Sequence, residues 1–246
     1  MNMEWKAAAV GGAIGAVFSL AVVFASAWFG ILPNNTDTRI HQYLMAHPSV
    51  LYEMSDHLQK QEAAQEEQKK RALIAKLGLK RFFDPAVAYV TGPANAKNTF
   101  VEFFDYNCIH CRNSMAAVKK FYEAHKKDTR FAFIEYPIFG DQSNEAARVA
   151  LAARRQGDLY LNLHFLLMGE KQMIDTALLS ADVKKAGLDA DKLHAALTDA
   201  ALDKALAAAH KLGQEANVDG TPTFVINGTI HPGEITDAEL KELTKS

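Results

Sequence analysis

The chain has 246 residues, of which 49% are hydrophobic, and a formal net charge of −2 at pH 7. This near-neutral charge gives no reason to expect a nucleic acid as a partner, and the sequence has no glycine-rich phosphate-binding loop. The length beyond residue 80 suffices for one domain with a sizeable hydrophobic core.

The N-terminal 36 residues contain a long apolar run. No charged residue occurs from Ala7 to Leu32, and this length exceeds the roughly 20 apolar residues that cross a bilayer. Trp5 and Trp28 lie near its two ends, as interfacial anchors do. We therefore expect residues 1–36 to form an anchor and linker in a bacterial inner membrane, with the remainder in the periplasm. The alternative is a signal peptide cleaved after Ala25-Ser26-Ala27, which would leave a soluble periplasmic protein.

Residues 37–80 form a second, helical segment. The pattern predicts a short amphipathic helix that ends before Pro48 and a longer helix from there to about Leu77, stopped by Gly78. The longer helix has an imperfect heptad seam, apolar only at its start, at Leu51, Met54, Leu58, Gln61, Gln65, Gln68 and Ala72. We interpret the segment as a homo-oligomerisation element; a solvated spacer is the alternative reading.

Residues 81–246 alternate between strand and helix patterns. The predicted elements, in chain order, are strands over 86–90 and 98–104, a helix from Cys108 to His125, a strand over 130–136, several helices over 141–217, a hairpin around Asn227-Gly228 and a helix capped by Thr236 and Glu239. This order predicts an α/β domain with a thioredoxin-like fold and a helical insertion.

The only two cysteines, Cys108 and Cys111, lie two residues apart directly after a predicted strand. A C-x-x-C at a strand-to-helix junction predicts a redox dithiol, in which the first thiolate attacks a disulfide and the second cysteine resolves the mixed disulfide. A purely structural bridge would close a tiny loop and gain little entropy. A zinc site would need two more Cys or His ligands. We therefore expect no metal and no organic cofactor, only a redox-active Cys108–Cys111 disulfide.

Two segments carry a resemblance to a known family. Phe103-Phe104-Asp105-Tyr106-Asn107-Cys108-x-x-Cys111, together with Gly220-Thr221-Pro222-Thr223-Phe224, resembles the bacterial DsbA-type thiol-disulfide oxidoreductases. Residues Ile40–Leu58 resemble the N-terminal element of the ScsC and Com1-like branch, in which that element mediates oligomerisation. The resemblance implies an enzyme that forms or isomerises disulfides in cysteine-containing exported proteins and that has a membrane redox partner.

The expected roles begin with Cys108 as nucleophile. The helix N-terminus and the side chain of His110 both favour its thiolate, whereas Cys111, one turn on, should be more buried and have a higher pKa. Glu102 matches the buried acid position of the superfamily and is expected to accept or relay the proton of Cys111. Asp105 is expected to be solvated in the loop.

The resemblance also implies a cis bond before Pro222, which would present the Thr221 backbone beside Cys108 to an extended substrate. Ile109 completes the expected substrate-binding set and stands where the most oxidising relatives have proline. The sequence leaves the direction of electron flow open, because Thr221 favours an isomerase and Cys-x-His-Cys favours an oxidase.

Two other classes of function remain. Soft thiolates suit Cu(I), so the dithiol is also consistent with a copper-binding module. A non-catalytic, membrane-anchored assembly factor would depend on the segment 37–80 alone. A Cys108→Ala variant separates the enzyme, which requires Cys108, from the assembly factor, which does not.

Overall fold

The structure, a computed structural model, describes residues 36–244. Contacts divide the described chain between Ala63 and Ala64 into two units. The expected membrane anchor falls on residues 1–36 and thus lies outside the described part except for Thr36. Between residues 36 and 244, no helix combines the length and apolarity needed to cross a membrane.

The N-terminal helices agree with the sequence pattern. Helix α1 spans Thr36–Ala46 and α2 spans Ser49–Leu77, with Pro48 between them. Up to Ala63 these helices bury none of their side chains. The last turns of α2 differ, because Ile74 is only 1% exposed and packs in a core cluster with Phe82 and Phe83. The compact unit that contains the sheet thus begins inside the segment 37–80.

Five strands form one mixed sheet in the order β1-β3-β2-β4-β5. Only the β2–β3 pair is parallel. The strands span Tyr89–Thr91, Asn98–Phe104, Thr129–Glu135, Thr223–Ile226 and Thr229–Pro232. The first strand was predicted over 86–90. The observed strand β1 starts later and is shorter, because residues 85–87 form a turn.

Helices cover the sheet and fill the predicted insertion between β3 and β4. After a 3₁₀ turn at Leu79–Phe83, the α-helices α3 to α9 span Ile109–His125, Asp141–Ala153, Leu159–Gly169, Thr176–Lys185, Ala190–Leu197, Ala201–Glu215 and Asp237–Leu243. Thr236 and Glu239 form the predicted capping box of α9. The chain order of strands, helical block, hairpin and closing helix is confirmed.

Strand β2 determines which side chains face the dithiol. Because successive side chains of a strand point to opposite faces, Phe100, Glu102 and Phe104 share one face. Phe100 and Phe104 belong to the core cluster that also contains both cysteines and the apolar face of α3. Val101 and Phe103 belong to the opposite cluster with Ile74. Glu102 therefore lies on the cysteine side of the sheet.

A buried ion pair joins the insertion to the sheet. The Arg154 side chain, 12% exposed, pairs with Glu135 on β3, which is 1% exposed. Tyr160 of α5 donates a hydrogen bond to the same carboxylate at 2.8 Å. The guanidinium also lies 3.3 Å from the Phe133 carbonyl. These bonds satisfy charges that burial would otherwise make costly.

Candidate active site

Cys108 lies at the junction of β2 and α3, as the N-cap residue of α3. Its backbone N–H donates to the Asp105 carbonyl at 3.1 Å, which closes the turn before the helix. Cys108 and Cys111 are both free thiols and both buried. Both are shielded from solvent, with Cys108 1% exposed and Cys111 0% exposed. Cys111 lies deeper, as expected, because burial dominates its electrostatics and does not dominate those of Cys108.

The environment of the two thiols separates their acidities. The pKa of Cys108 is lowered to about 5, and the largest cause is a hydrogen bond from the Cys111 thiol. The Thr221 hydroxyl and the backbone N–H groups of Cys111 and His110 lower it further. Together these hydrogen bonds outweigh burial, which raises the pKa. Burial, above all, raises the pKa of Cys111 far above its ordinary value, and the bond to Cys108 and the charge of Glu102 add to this. Cys108 is thus a thiolate at neutral pH, and Cys111 is a thiol.

Thr221 lies beside the sulfur of Cys108. The bond between Thr221 and Pro222 is cis, which confirms that prediction. When Cys108 is protonated, its thiol donates a hydrogen bond to the Thr221 carbonyl at 3.1 Å, a bond that the thiolate cannot form. The Thr221 hydroxyl is buried, and among residues 36–244 it has no partner at ordinary hydrogen-bond geometry. It lies close enough to the sulfur to lower the Cys108 pKa.

Glu102 is completely buried beneath the dithiol. Neither carboxylate oxygen has a hydrogen-bond partner among the described residues. Burial, followed by the nearby Cys108 charge, raises the pKa of Glu102 to about 8. The carboxyl is therefore protonated at neutral pH and can exchange a proton near Cys111.

His110 contacts the sulfur through its backbone, and its side chain points elsewhere. The imidazole is 61% exposed, and its Nδ1 lies 2.6 Å from Glu234. That bond raises the pKa of His110. Asn113 also donates to Glu234, at 2.8 Å. The His110 N–H lowers the Cys108 pKa directly. The imidazole also interacts with the Cys108 charge, which contributes to its raised pKa, so the stabilisation expected from the side chain is secondary to its pairing with Glu234.

The expectation that Asp105 is solvated is wrong. Asp105 is 2% exposed, and its carboxylate accepts three backbone hydrogen bonds: from Asn107 at 2.7 Å, Ile138 at 2.7 Å and Phe139 at 3.1 Å. A short side chain placed between the strand and the turn can reach its own backbone two residues on. That local turn could have been recognised from the sequence; the bonds to residues 138 and 139 could not.

Asn107 and Arg112 hold the loop from the other side and were also missed by the sequence argument. The Arg112 guanidinium donates to the Tyr106 carbonyl at 2.9 Å and to Asn107 Oδ1 at 3.0 Å. The same oxygen accepts the Ile174 N–H at 2.8 Å. The loop before Cys108 is thus tied to two distant segments.

Apolar side chains are exposed on these tied segments and on the C-x-x-C itself. Ile109 is 56% exposed. Ile138 and Phe139 follow β3, and Met173 precedes Ile174; all three are exposed too. Within residues 36–244, no cluster of three or more His, Cys, Asp or Glu residues is arranged to hold a metal ion.

Two family models match this sequence. The thioredoxin model matches residues 86–246, which include the C-x-x-C, Glu102 and Thr221-Pro222. The model for the copper resistance protein ScsC N-terminal domain matches residues 37–65. The chain belongs to the thioredoxin family, and the second match groups it with the ScsC- and DsbA-type proteins.

Solved structures agree with this assignment. A thioredoxin-like oxidoreductase from Silicibacter pomeroyi is 35% identical, with 66% of this chain and 92% of that chain covered and a TM-score of 0.60. The catalytic domain of Proteus mirabilis ScsC is 28% identical, with coverages of 71% and 96% and a TM-score of 0.63. Salmonella enterica Typhimurium BcfH is 26% identical, with coverages of 89% and 97% and a TM-score of 0.67. The thioredoxin-like fold is confirmed.

The curated relatives are much longer proteins. A Na(+)/H(+) antiporter NhaA 3 from Salinispora tropica is 29% identical over 152 residues, which cover 61% of this chain. The matched segment spans only 23% of that antiporter.

Proposed function

We propose that this chain is a thiol-disulfide oxidoreductase that forms or isomerises disulfides in cysteine-containing exported proteins. The observation that carries the proposal is the setting of Cys108 as the N-cap of α3, where hydrogen bonds from Cys111, the Thr221 side chain and backbone N–H groups lower its pKa to about 5. A thiolate of this kind is a nucleophile and also a good leaving group at neutral pH.

The oxidising reaction starts from the Cys108–Cys111 disulfide. A substrate thiolate attacks Sγ of Cys108, a mixed disulfide forms, and Cys111 leaves and takes up a proton because of its raised pKa. Glu102, protonated below about pH 8, is the buried group that supplies this proton. A second substrate thiolate then attacks the substrate sulfur and releases Cys108 as thiolate. Two electrons pass from the two substrate thiols to the enzyme dithiol.

The substrate contacts follow from the surface around the sulfur. The Thr221 backbone beside Cys108 pairs with an extended chain, and such main-chain pairing gives affinity without sequence specificity. The exposed side chain of Ile109 offers apolar contact beside the reacting cysteine. In the isomerase direction, the reduced Cys108 attacks a wrongly paired substrate disulfide through the same surface.

Activity assays with paired variants test the proposal. The oxidised protein should form disulfides in a reduced, unfolded substrate, and Cys108→Ala should abolish this. Cys111→Ala should accumulate a mixed disulfide, because the resolving thiol is gone. Undiminished activity of Cys108→Ala would overturn the proposal, and so would a parent protein that forms no disulfides; only the second outcome would favour the non-catalytic assembly factor. Binding of Cu(I) by the dithiol without any exchange would favour the copper-binding module.

We propose further that the protein is anchored in the bacterial inner membrane by residues 1–36, is reoxidised or reduced by a membrane redox partner, and associates through its N-terminal helices. Exposed apolar side chains support association; those between Ile40 and Leu58 are Ile40, Tyr43, Met45, Leu51, Tyr52, Met54 and Leu58. Apolar side chains exposed in such numbers indicate an interaction surface.

Sedimentation of point variants tests the association. Leu58→Glu should dissociate the oligomer, and Gln59→Glu, a change at an exposed polar position of the same helix outside the heptad seam, should leave the oligomer intact. A monomeric parent protein would contradict association. If the oligomer is present, its paired catalytic sites favour the isomerase direction.

A further inference from the structure

A groove beside the active site involves the last turns of α2. Its volume is about 580 Å³, within the range of roughly 300–1,000 Å³ that is typical of ligand sites. Leu73 of α2 lines it together with Thr221, Pro222 and Ile230 from the loop and hairpin. All of these residues belong to the unit that begins at Ala64.

The groove is continuous with the reactive centre through Thr221. This residue lines the groove, and its carbonyl lies 3.1 Å from Sγ of Cys108. A substrate chain bonded to Cys108 therefore has an adjoining channel for the residues next to its own cysteine. Leu73, Ile230 and Pro222 give that channel an apolar lining.

One cation in the groove has no ion-pair partner. The charged lining consists of Glu66, Lys69, Lys70 and Asp219. Lys69 and Glu66 are exposed and form an ion pair at 2.6 Å, and Asp219 is exposed to solvent. Lys70 is half-buried, and across residues 36–244 it forms no direct ion pair; Glu66, which is bonded to Lys69, interacts with its charge through space. An anionic ligand stabilises a partly dehydrated, unpaired ammonium group more than it stabilises an ammonium group that is fully exposed to water.

We infer that the groove binds the stretch of substrate polypeptide next to the reacting cysteine, and that Lys70 selects an acidic side chain in that stretch. The inference rests on the thiol-disulfide exchange proposed above. It gives the last turns of α2 a role in choosing substrates, with Leu73 contributing apolar contact and Lys70 contributing charge.

The test uses the full chain with Cys111→Ser, so that the mixed disulfide at Cys108 persists. Single-cysteine peptides are prepared as mixed disulfides with thionitrobenzoate. Each peptide carries Glu, Gln or Lys at a single test position and is otherwise identical to the others. The test position is moved through the three residues on either side of the cysteine. Cys108 attacks the peptide sulfur, the sulfur–sulfur bond to thionitrobenzoate breaks, and thionitrobenzoate leaves as a coloured thiolate. Dithiobis(nitrobenzoate), which has no peptide, reports the reactivity of Cys108 alone.

Lys70→Gln is compared with Lys76→Gln, which makes the same change of charge on an exposed residue of α2 outside the groove. At one or more positions the Glu peptide should react about two- to fivefold faster than the Gln peptide, the range of a partly exposed ion pair. Lys70→Gln should bring this ratio close to one, Lys70→Glu should favour the Lys peptide, and Lys76→Gln should keep the parent ratio.

A ratio near one at every position in the parent, or an equal loss of the ratio in Lys76→Gln, would overturn the inference. If Cys108 reacts with dithiobis(nitrobenzoate) in either case, thiol-disulfide exchange itself stands. If it does not react, the proposed function fails instead.

Discussion

Glutamine at position 102 keeps the shape of the buried carboxyl group and removes its titration. Glu102 is fully buried without a hydrogen-bond partner among the described residues, and its pKa is raised from 4.5 to about 8. Between these values the folded protein holds a proton that the unfolded chain has lost. The free energy of unfolding of the parent therefore falls as pH rises through this interval, and the loss is complete above the folded pKa.

The size of the effect follows from the two pKa values. One pH unit corresponds to about 1.4 kcal/mol, so the interval from 4.5 to about 8 allows about 5 kcal/mol at most. In the reduced protein, Cys108 opposes this trend, because its lowered pKa adds stability as pH rises. The oxidised protein is the better sample, since its cysteines do not titrate and burial remains the main cause of the Glu102 shift.

The assay is urea unfolding of oxidised parent and Glu102→Gln proteins from pH 4 to pH 9. Groups common to both proteins cancel in the difference between their free energies of unfolding. That difference should grow in favour of Glu102→Gln by up to about 1.4 kcal/mol per pH unit above pH 4.5. It should level off below about pH 8, because the oxidised protein lacks the Cys108 charge that helps to raise the Glu102 pKa. A difference that does not change with pH would refute the reasoning and show that Glu102 titrates normally.

Three further outcomes are expected. Absorbance of the thiolate near 240 nm should give a Cys108 pKa near 5, and a value near the unperturbed 8.5 would contradict thiolate stabilisation. His110→Leu should raise this pKa and make the disulfide less oxidising. The reduction potential should fall by less than about 30 mV, because the imidazole is exposed and paired with Glu234. A shift several times larger in glutathione equilibration would show that the imidazole acts directly on the sulfur. Arg154→Leu should lower the free energy of unfolding by about 3–5 kcal/mol, because it leaves the charge of Glu135 buried and unpaired. The control Arg155→Leu removes an exposed pair with Asp199 and should lower it by about 1 kcal/mol or less. Equal losses in urea unfolding would mean that the buried pair contributes no more than the exposed one.

Features determined by local sequence were predictable. The strand before Cys108, the helix after it, the Asn227-Gly228 hairpin and the capping box at Thr236 each depend on residues within a few positions of one another. The cis bond before Pro222 was predicted from the resemblance alone.

Features that join distant residues were not predictable. Glu234 is 124 positions from His110, and no local pattern marks it as the partner that holds the imidazole. Asp105 is buried because residues 138 and 139 return to it from beyond β3. The groove wall contributed by Leu73 and Lys70 likewise requires α2 to pack beside a loop about 150 positions further along the chain. Hydrophobic periodicity indicates which face of a helix is buried, but it does not identify the neighbour.

The central claim is that Cys108 is a stabilised thiolate in a dithiol that exchanges with protein disulfides. Equilibration of Cys108–Cys111 with glutathione buffers tests it most directly. Because stabilising the thiolate stabilises the reduced form, the reduction potential should lie well above that of thioredoxin, about −270 mV, in the range of roughly −200 to −120 mV. A potential at or below about −270 mV, or a dithiol that does not exchange with glutathione at all, would contradict the account.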